Sequence, residues 1–263
     1  MTKKTGPLAA VLMTAVLLGG CTVAGVSEPS ASPTATATAT DLHDMAAGTV
    51  LATGTFTVFA DDTDTILPRP GVEGAIEVYT DDGRLTVSLL NLEVGQVQNT
   101  TIVELNALDS DATAEEFRVA TSYLGDSEVD AVTRQTFDIE YGNDLVTTDP
   151  SWMRTAVIWE RVDGIGTLGR ALATATLTWT VPDQRPDLAV ADAGSGNLAQ
   201  GVVHFDSAGT PAAYVVAPLD ALETIAARFA ITVEDLIWLN PMRGGSEAQS
   251  GETLNLSRYE RGR

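Results

Sequence analysis

Between Thr49 and Pro182 apolar and polar residues alternate with a period of two, and no other feature of the sequence constrains the fold as much. Leu85, Val87 and Leu89 alternate with Thr86 and Ser88, and Ile76 and Val78 with Glu77 and Tyr79. Phe56 and Val58 alternate with Thr55 and Thr57; Ala175, Leu177, Trp179 and Val181 alternate with threonines from Thr174 to Thr180. Successive side chains of a strand point to opposite faces, so each run turns one face to a core. Asp82-Gly83 lies between Val78 and Leu85, where glycine supplies the positive φ of a tight hairpin turn. About eight such runs, separated by turn residues, predict an antiparallel sandwich or barrel over residues 49–183. Thr113 to Ala120 reads as either a short helix or a strand.

The charge balance limits the partners. The 263 residues carry 36 Asp+Glu against 15 Lys+Arg, a formal net charge of -21, with two His and one Cys. A surface this negative repels phosphate backbones and excludes nucleic acid. One cysteine excludes an intrachain disulfide and a multi-cysteine zinc site. Gly-x-Ser-x-Gly, His-Glu-x-x-His and Gly-rich phosphate loops are missing, and neither His43 nor His204 joins a triad pattern. No catalytic residue, metal ligand or cofactor is therefore assigned. Asp61-Asp62-Thr63-Asp64 and Asp109-Ser110-Asp111 read as solvated turns. The second begins like a calcium loop, but Ala114 and Ala120 stand where such a loop needs glycine and glutamate. Trp152, Trp159 and Trp179 read as core residues.

The N-terminus reads as an export address. Lys3 and Lys4 precede an apolar run from Leu8 to Leu18, broken by Thr14 and ending at Gly19-Gly20-Cys21. The run is too short for a bilayer span of ~20 residues and suits a signal peptide over residues 1–20. Leu18-Gly19-Gly20-Cys21 resembles the bacterial lipobox. That resemblance implies cleavage before Cys21, diacylation of its thiol, and anchoring on the extracytoplasmic face of the cell membrane. Two acyl chains hold stably at ~0.8 kcal/mol per buried CH2, where one is marginal. Residues 21–48, rich in Ser, Thr, Ala and Pro, have too little apolar bulk to fold and read as a disordered tether.

The order Gly74-Ala-Ile-Glu-Val-Tyr79, Leu85-Thr-Val87, Tyr123-Leu-Gly125, Phe137-Asp-Ile139 and Ala156-Val-Ile-Trp159 is similar to a small extracellular β domain found beside DOMON modules. In that family a cysteine after the Ile-Trp pair has been proposed to carry electrons. Here that place holds Glu160, so the resemblance implies the fold and not the redox activity.

Residues 184–212 read as a connector with a short strand at Val202 to Phe205. A different pattern follows. Leu222, Ile225, Ala226 and Phe229 share one helical face, with Asp220 and Glu223 as a capping pair. A second helix opens at Thr232, opposite Asp235, and stops at Asn240-Pro241. Strand-like runs at Ala213 to Val216 and Thr253 to Leu256 flank the helices.

Tyr214-Val-Val216, Asp220-Ala-Leu222, Ile225-Ala-Ala-Arg-Phe229, Asp235-Leu-Ile-Trp-Leu-Asn240 and Gly251-Glu-Thr-Leu-Asn-Leu256 resemble the lysin motif, LysM, in order and spacing. The resemblance implies a small α+β domain of β-α-α-β order over residues 213–257, leaving 258–263 as a tail. It also implies binding of peptidoglycan or another N-acetylglucosamine glycan in a shallow groove between two loops. On that basis the first loop offers Leu219, Asp220, Ala221 and Leu222; the second region offers Trp238, Asn240, Pro241 and Met242. Trp238 or Met242 would pack on the sugar ring, although Trp238 reads equally as a core contact of the second helix. The family's Gly-Asp-Thr is Leu219-Asp220-Ala221 here, which alters the first loop.

Signal peptide, tether, β domain and LysM together resemble surface lipoproteins of high-GC Gram-positive bacteria (actinobacteria). The expected function is non-catalytic: the module holds the wall while the β domain acts as spacer or meets a protein partner. Two other classes stay open. One is a wall hydrolase delivered by LysM, whose paired carboxylates leave no motif. The other is an assembly lipoprotein whose LysM has lost glycan binding.

Overall fold

The computed structural model describes residues 45–60, 70–81, 84–97, 99–120, 122–123, 128–130, 132–139, 149–162, 167–243 and 245–263. The expected signal peptide, Cys21 and nearly all of the tether lie outside these residues. Two five-stranded antiparallel sheets dominate. The first runs in the order β10-β1-β3-β4-β7: β1 (Val50–Thr55), β3 (Val72–Asp81), β4 (Arg84–Val94), β7 (Arg134–Asp138) and β10 (Thr178–Trp179). The second runs β2-β9-β8-β5-β6: β2 (Thr57–Val58), β5 (Thr101–Asn106), β6 (Ser122–Tyr123), β8 (Thr155–Val162) and β9 (Thr167–Thr176).

Alternation places the core. Ile76, Val78, Leu85, Val87 and Leu89 of the first sheet are at most 1% exposed and pack against Val103, Leu105, Ala156, Ile158 and Ala173 of the second. Burying each of the valine, leucine and isoleucine side chains contributes about 1.5–3 kcal/mol, and the inner faces of a sandwich result. The opposite face of the second sheet is also covered: Ile102, Val157 and Trp159 pack with Phe59 and with Phe117 of helix α1 (Ala114–Val119). Thr113 settles helix against strand there, because its hydroxyl caps the Glu116 N–H while Glu116 returns a bond to the Thr113 N–H. The β3–β4 register (Ile76↔Leu89, Val78↔Val87, Asp81↔Arg84) flanks the expected turn. Asp82-Gly83 itself lies outside the described residues.

Two expected strands turn out to be broken, and the breaks shape the fold. Phe56 and Val58 do not share a face: Phe56 is buried, Val58 is exposed, and the chain leaves the first sheet after Thr55 to join the second at Thr57. The run from Ala175 to Val181 makes the reverse crossing at Leu177. As a result β1 pairs with β10 (Ala52↔Trp179) while β2 pairs with β9 (Thr57↔Thr174). The sheets are thus joined along one side, which is the feature shared by the sandwich and barrel readings. Gly74 sets a bulge in β3, with φ +139° and the site of an added Cβ only 2.8 Å from Leu92 Cα.

A third, three-stranded sheet has the order β11-β12-β13, with β11 (Val202–Phe205), β12 (Pro211–Val215) and β13 (Thr253–Asn255). Helices α2 (Leu222–Arg228) and α3 (Val233–Leu239) lie between β12 and β13 in sequence. Tyr214, Leu222, Ile225, Phe229, Leu236, Leu254 and Leu256 form its core. The Thr232–Asp235 capping box is present, and α3 gives way to Asn240 and Pro241 as expected. The capping pair expected for α2 is corrected: Ala221 is the N-cap, with no side-chain cap bond. Residues 190–201 belong to this module. Ala199 joins its core, and Arg228 of α2 pairs with Asp192 at 2.7 Å. All described residues fall in one compact unit, Thr38–Arg263. No helix among them is long and apolar enough to cross a membrane.

Candidate functional site

The first expected loop is built around an inward-turned carboxylate. Asp220 accepts bonds from the Ala217 N–H (2.8 Å), the Gln200 N–H (2.8 Å), the Gly201 N–H (3.2 Å) and the Tyr214 hydroxyl (2.5 Å). It is 9% exposed. Burial raises its pKa, but these donors together outweigh burial and hold the carboxyl below its ordinary value. Tyr214 moves the other way: burial, then the adjacent carboxylate, push its phenol up to about 12. The Ala221 N–H donates to Leu198 O at 2.9 Å, so the connector takes a donor of this loop. Leu222 is 2% exposed and belongs to the core. Leu219 alone projects, 85% exposed, with φ +72°. A leucine thus occupies a left-handed conformation that glycine adopts without strain.

In the second region Asn240 is structural. Its amide donates to Leu236 O (2.8 Å) and Asn255 O (2.9 Å), and its oxygen accepts from the Asn255 N–H (2.7 Å). Asn240, Pro241 and Met242 line a cleft of about 150 Å³ with Arg243, Glu252 and Arg263. Met242 is 38% exposed. Leu219, Asp220, Ala221 and Leu222 contribute nothing to this cleft.

Trp238 turns towards the sandwich rather than into the module's core. It is 6% exposed, and it donates its indole N–H to Asp149 Oδ2 at 2.9 Å, on the segment between β7 and β8. Arg261 lies over the ring, 3.7 Å from its centre, and pairs with the same Asp149 oxygen at 2.8 Å. The Arg261 Nε donates to Trp238 O and its Nη2 to Asp149 O. Burial pushes the guanidinium down to about 10, with Asp149 opposing. Gly262 (φ +78°) then passes so close to Trp152 that an added Cβ would lie 2.5 Å from the ring. Arg154 donates to Tyr259 O, and Arg263 pairs with Asp109. Residues 258–263, expected as a tail, are therefore a seam between sandwich and module. The available signal is their composition, three arginines and Tyr259 in six residues.

The sandwich itself presents little chemistry. Glu160, at the redox cysteine's place in the similar β domain, is 6% exposed and accepts from Arg170 Nε (2.9 Å) and Asn99 (3.2 Å). Trp152 and Trp159 are buried. Asp109 is engaged by Arg154 and Arg263, while Asp61 to Asp64 lie outside the described residues. Among the described residues no three His, Cys, Asp or Glu side chains are grouped to hold a metal. A larger cleft at the seam contains Asp149 and Asp183. Arginines hold both: Arg261 takes Asp149, and Arg258 takes Asp183. Burial raises the Asp183 pKa, but bonds from the Arg185 N–H and Arg258 bring it below its usual value, opposite to what a general acid needs. Compared with known proteins, the chain matches no family model, no curated protein and no solved structure.

Proposed function

We propose that the chain is a non-catalytic surface lipoprotein, anchored through a diacylated Cys21. In this reading its C-terminal module binds peptidoglycan or a related N-acetylglucosamine glycan. One observation carries the reading: the residues of the LysM-like pattern converge. Tyr214, Leu222, Ile225, Phe229, Leu236, Leu254 and Leu256 meet in a single core within a β-α-α-β order. The exposed apolar groups of the two loops, Leu219 and Met242, are then the candidates to meet a sugar ring. Asp220, Ala221, Leu222, Asn240 and Pro241 support those loops, and Trp238 has no part in the contact. A single small module of this kind binds weakly, and confinement to the membrane beneath the wall raises its effective concentration.

Co-sedimentation with purified peptidoglycan tests the binding. The mature chain is expected in the pellet, and the Leu219→Asp/Met242→Asp variant in the supernatant; a chain left wholly in the supernatant overturns the reading. Fatty-acid labelling in cells tests the anchor. Label is expected on the protein and lost in Cys21→Ser, and an unlabelled native protein defeats the lipoprotein assignment.

A further inference from the structure

A cleft of about 440 Å³ opens where the sandwich meets the module. That volume lies within the range of about 300–1,000 Å³ typical of small-ligand sites. We propose that it binds an uncharged, hydroxyl-rich ligand of saccharide size. This site shares no residue with the loops of Leu219 and Met242, so it stands or falls apart from the function proposed above.

The charges argue for a neutral occupant. Both acids of the cleft are closed into ion pairs: Asp149 with Arg261 at 2.8 Å, and Asp183 with Arg258, whose Nη2 reaches the two carboxylate oxygens at 2.7 and 2.5 Å. The two acids and two arginines of the cleft neutralise one another and leave no net charge to attract an ion, and the chain's net charge of -21 repels anions from a distance. A neutral polyol keeps both pairs and adds hydrogen bonds to their remaining lone pairs and N–H groups. Paired ions of this kind offer donors and acceptors side by side, as vicinal hydroxyls require.

The walls argue for a ring. Tyr259 stands at the cleft with 83% of its surface exposed, the largest exposed aromatic side chain among the described residues. Its backbone is fixed, because it lies in the 3-10 turn Arg258–Glu260 and its carbonyl accepts from Arg154. Val181 and Pro182 add apolar surface. A flat aromatic face beside aliphatic carbon suits the C–H face of a pyranose, while the phenol hydroxyl remains free to bond at its edge. The cleft floor is held by the Asp149–Arg261–Trp238 contacts, so little ordering is needed on binding.

Saturation-transfer NMR on the full chain tests this with three neutral disaccharides (N,N′-diacetylchitobiose, cellobiose and maltose), and with glucuronate and inorganic phosphate as charged probes. At least one neutral disaccharide is expected to bind, with neither charged probe displacing it. Tyr259→Ala should weaken that binding about tenfold, the size of one aromatic contact, and Tyr259→Phe should largely retain it. Tyr259 is exposed, so its replacement leaves the unfolding midpoint unchanged. Absence of binding by all three disaccharides, equal binding by Tyr259→Ala, or displacement by phosphate overturns the proposal. Binding lost in Leu219→Asp/Met242→Asp but kept in Tyr259→Ala also overturns it and leaves the module's own reading standing.

Discussion

The indole N–H of Trp238 reaches Asp149 Oδ2 at 2.9 Å across 89 positions of sequence, and Arg261 closes on both. Removing one member of such a buried set strands the others. Asp149→Ala leaves the Arg261 charge and the Trp238 N–H without their acceptor, and should cost about 3–5 kcal/mol of stability in urea unfolding. The double change Asp149→Leu/Arg261→Met removes both charges together and should cost clearly less. Equal losses would mean that the charge pairing is not what holds the seam.

Leu219 lies in the left-handed region with its side chain in solvent. Leu219→Gly removes strain and little packing, so stability should rise by up to about 1 kcal/mol. Denaturant midpoints measure this, and a fall would show that the side chain packs against something in solution.

Tyr214 and Asp220 make the module sensitive to pH at both ends. The folded phenol ionises near 12, against 10 in the unfolded chain. The folded state therefore binds more protons between those values, and stability contributed below pH 10 is lost as pH rises towards 12. Asp220 has the opposite sign: its folded pKa is lowered, so its contribution is present above the unfolded value and lost as pH falls through the folded one. Tyr214→Phe should flatten the alkaline loss and cost about 1–3 kcal/mol at neutral pH, because the Gly201 N–H loses an acceptor and Asp220 a donor. Thermal unfolding across pH, with phenol absorbance as a second probe, reads both.

Gly74→Ala tests the bulge in β3. The new Cβ would meet backbone atoms of Leu90, Asn91 and Leu92 at 2.8–3.1 Å, at a φ that only glycine adopts easily. A loss of about 2–3 kcal/mol is expected in urea unfolding, and an unchanged midpoint would show that the pairing register can shift.

Periodicity made the inner strands legible because local alternation and burial coincide at Ile76, Val78, Leu85, Val87 and Leu89. It failed at Phe56 and Leu177, where the chain changes sheets: one alternating run then serves two surfaces, and nothing local marks the crossing. The order of helices and strands in the C-terminal module was legible for the same reason as the inner strands. The direction of Asp220 was not, since a carboxylate before a helix ordinarily caps it, and here Gln200, Gly201 and Tyr214 supply better donors. Trp238 and Arg261 meet Asp149, and Arg258 meets Asp183, and such distant partners leave no local spacing to read.

Were the chain tethered before β1 and held after β10, as the proposed function requires, the pairing of β1 with β10 would have a mechanical meaning. Val50 enters and Trp179 leaves along neighbouring antiparallel strands, about 5 Å apart, at the same end of one sheet. Tension applied to the chain before β1 and after β10 enters and exits through one doorway. The sandwich then adds almost none of its own height to the distance bridged.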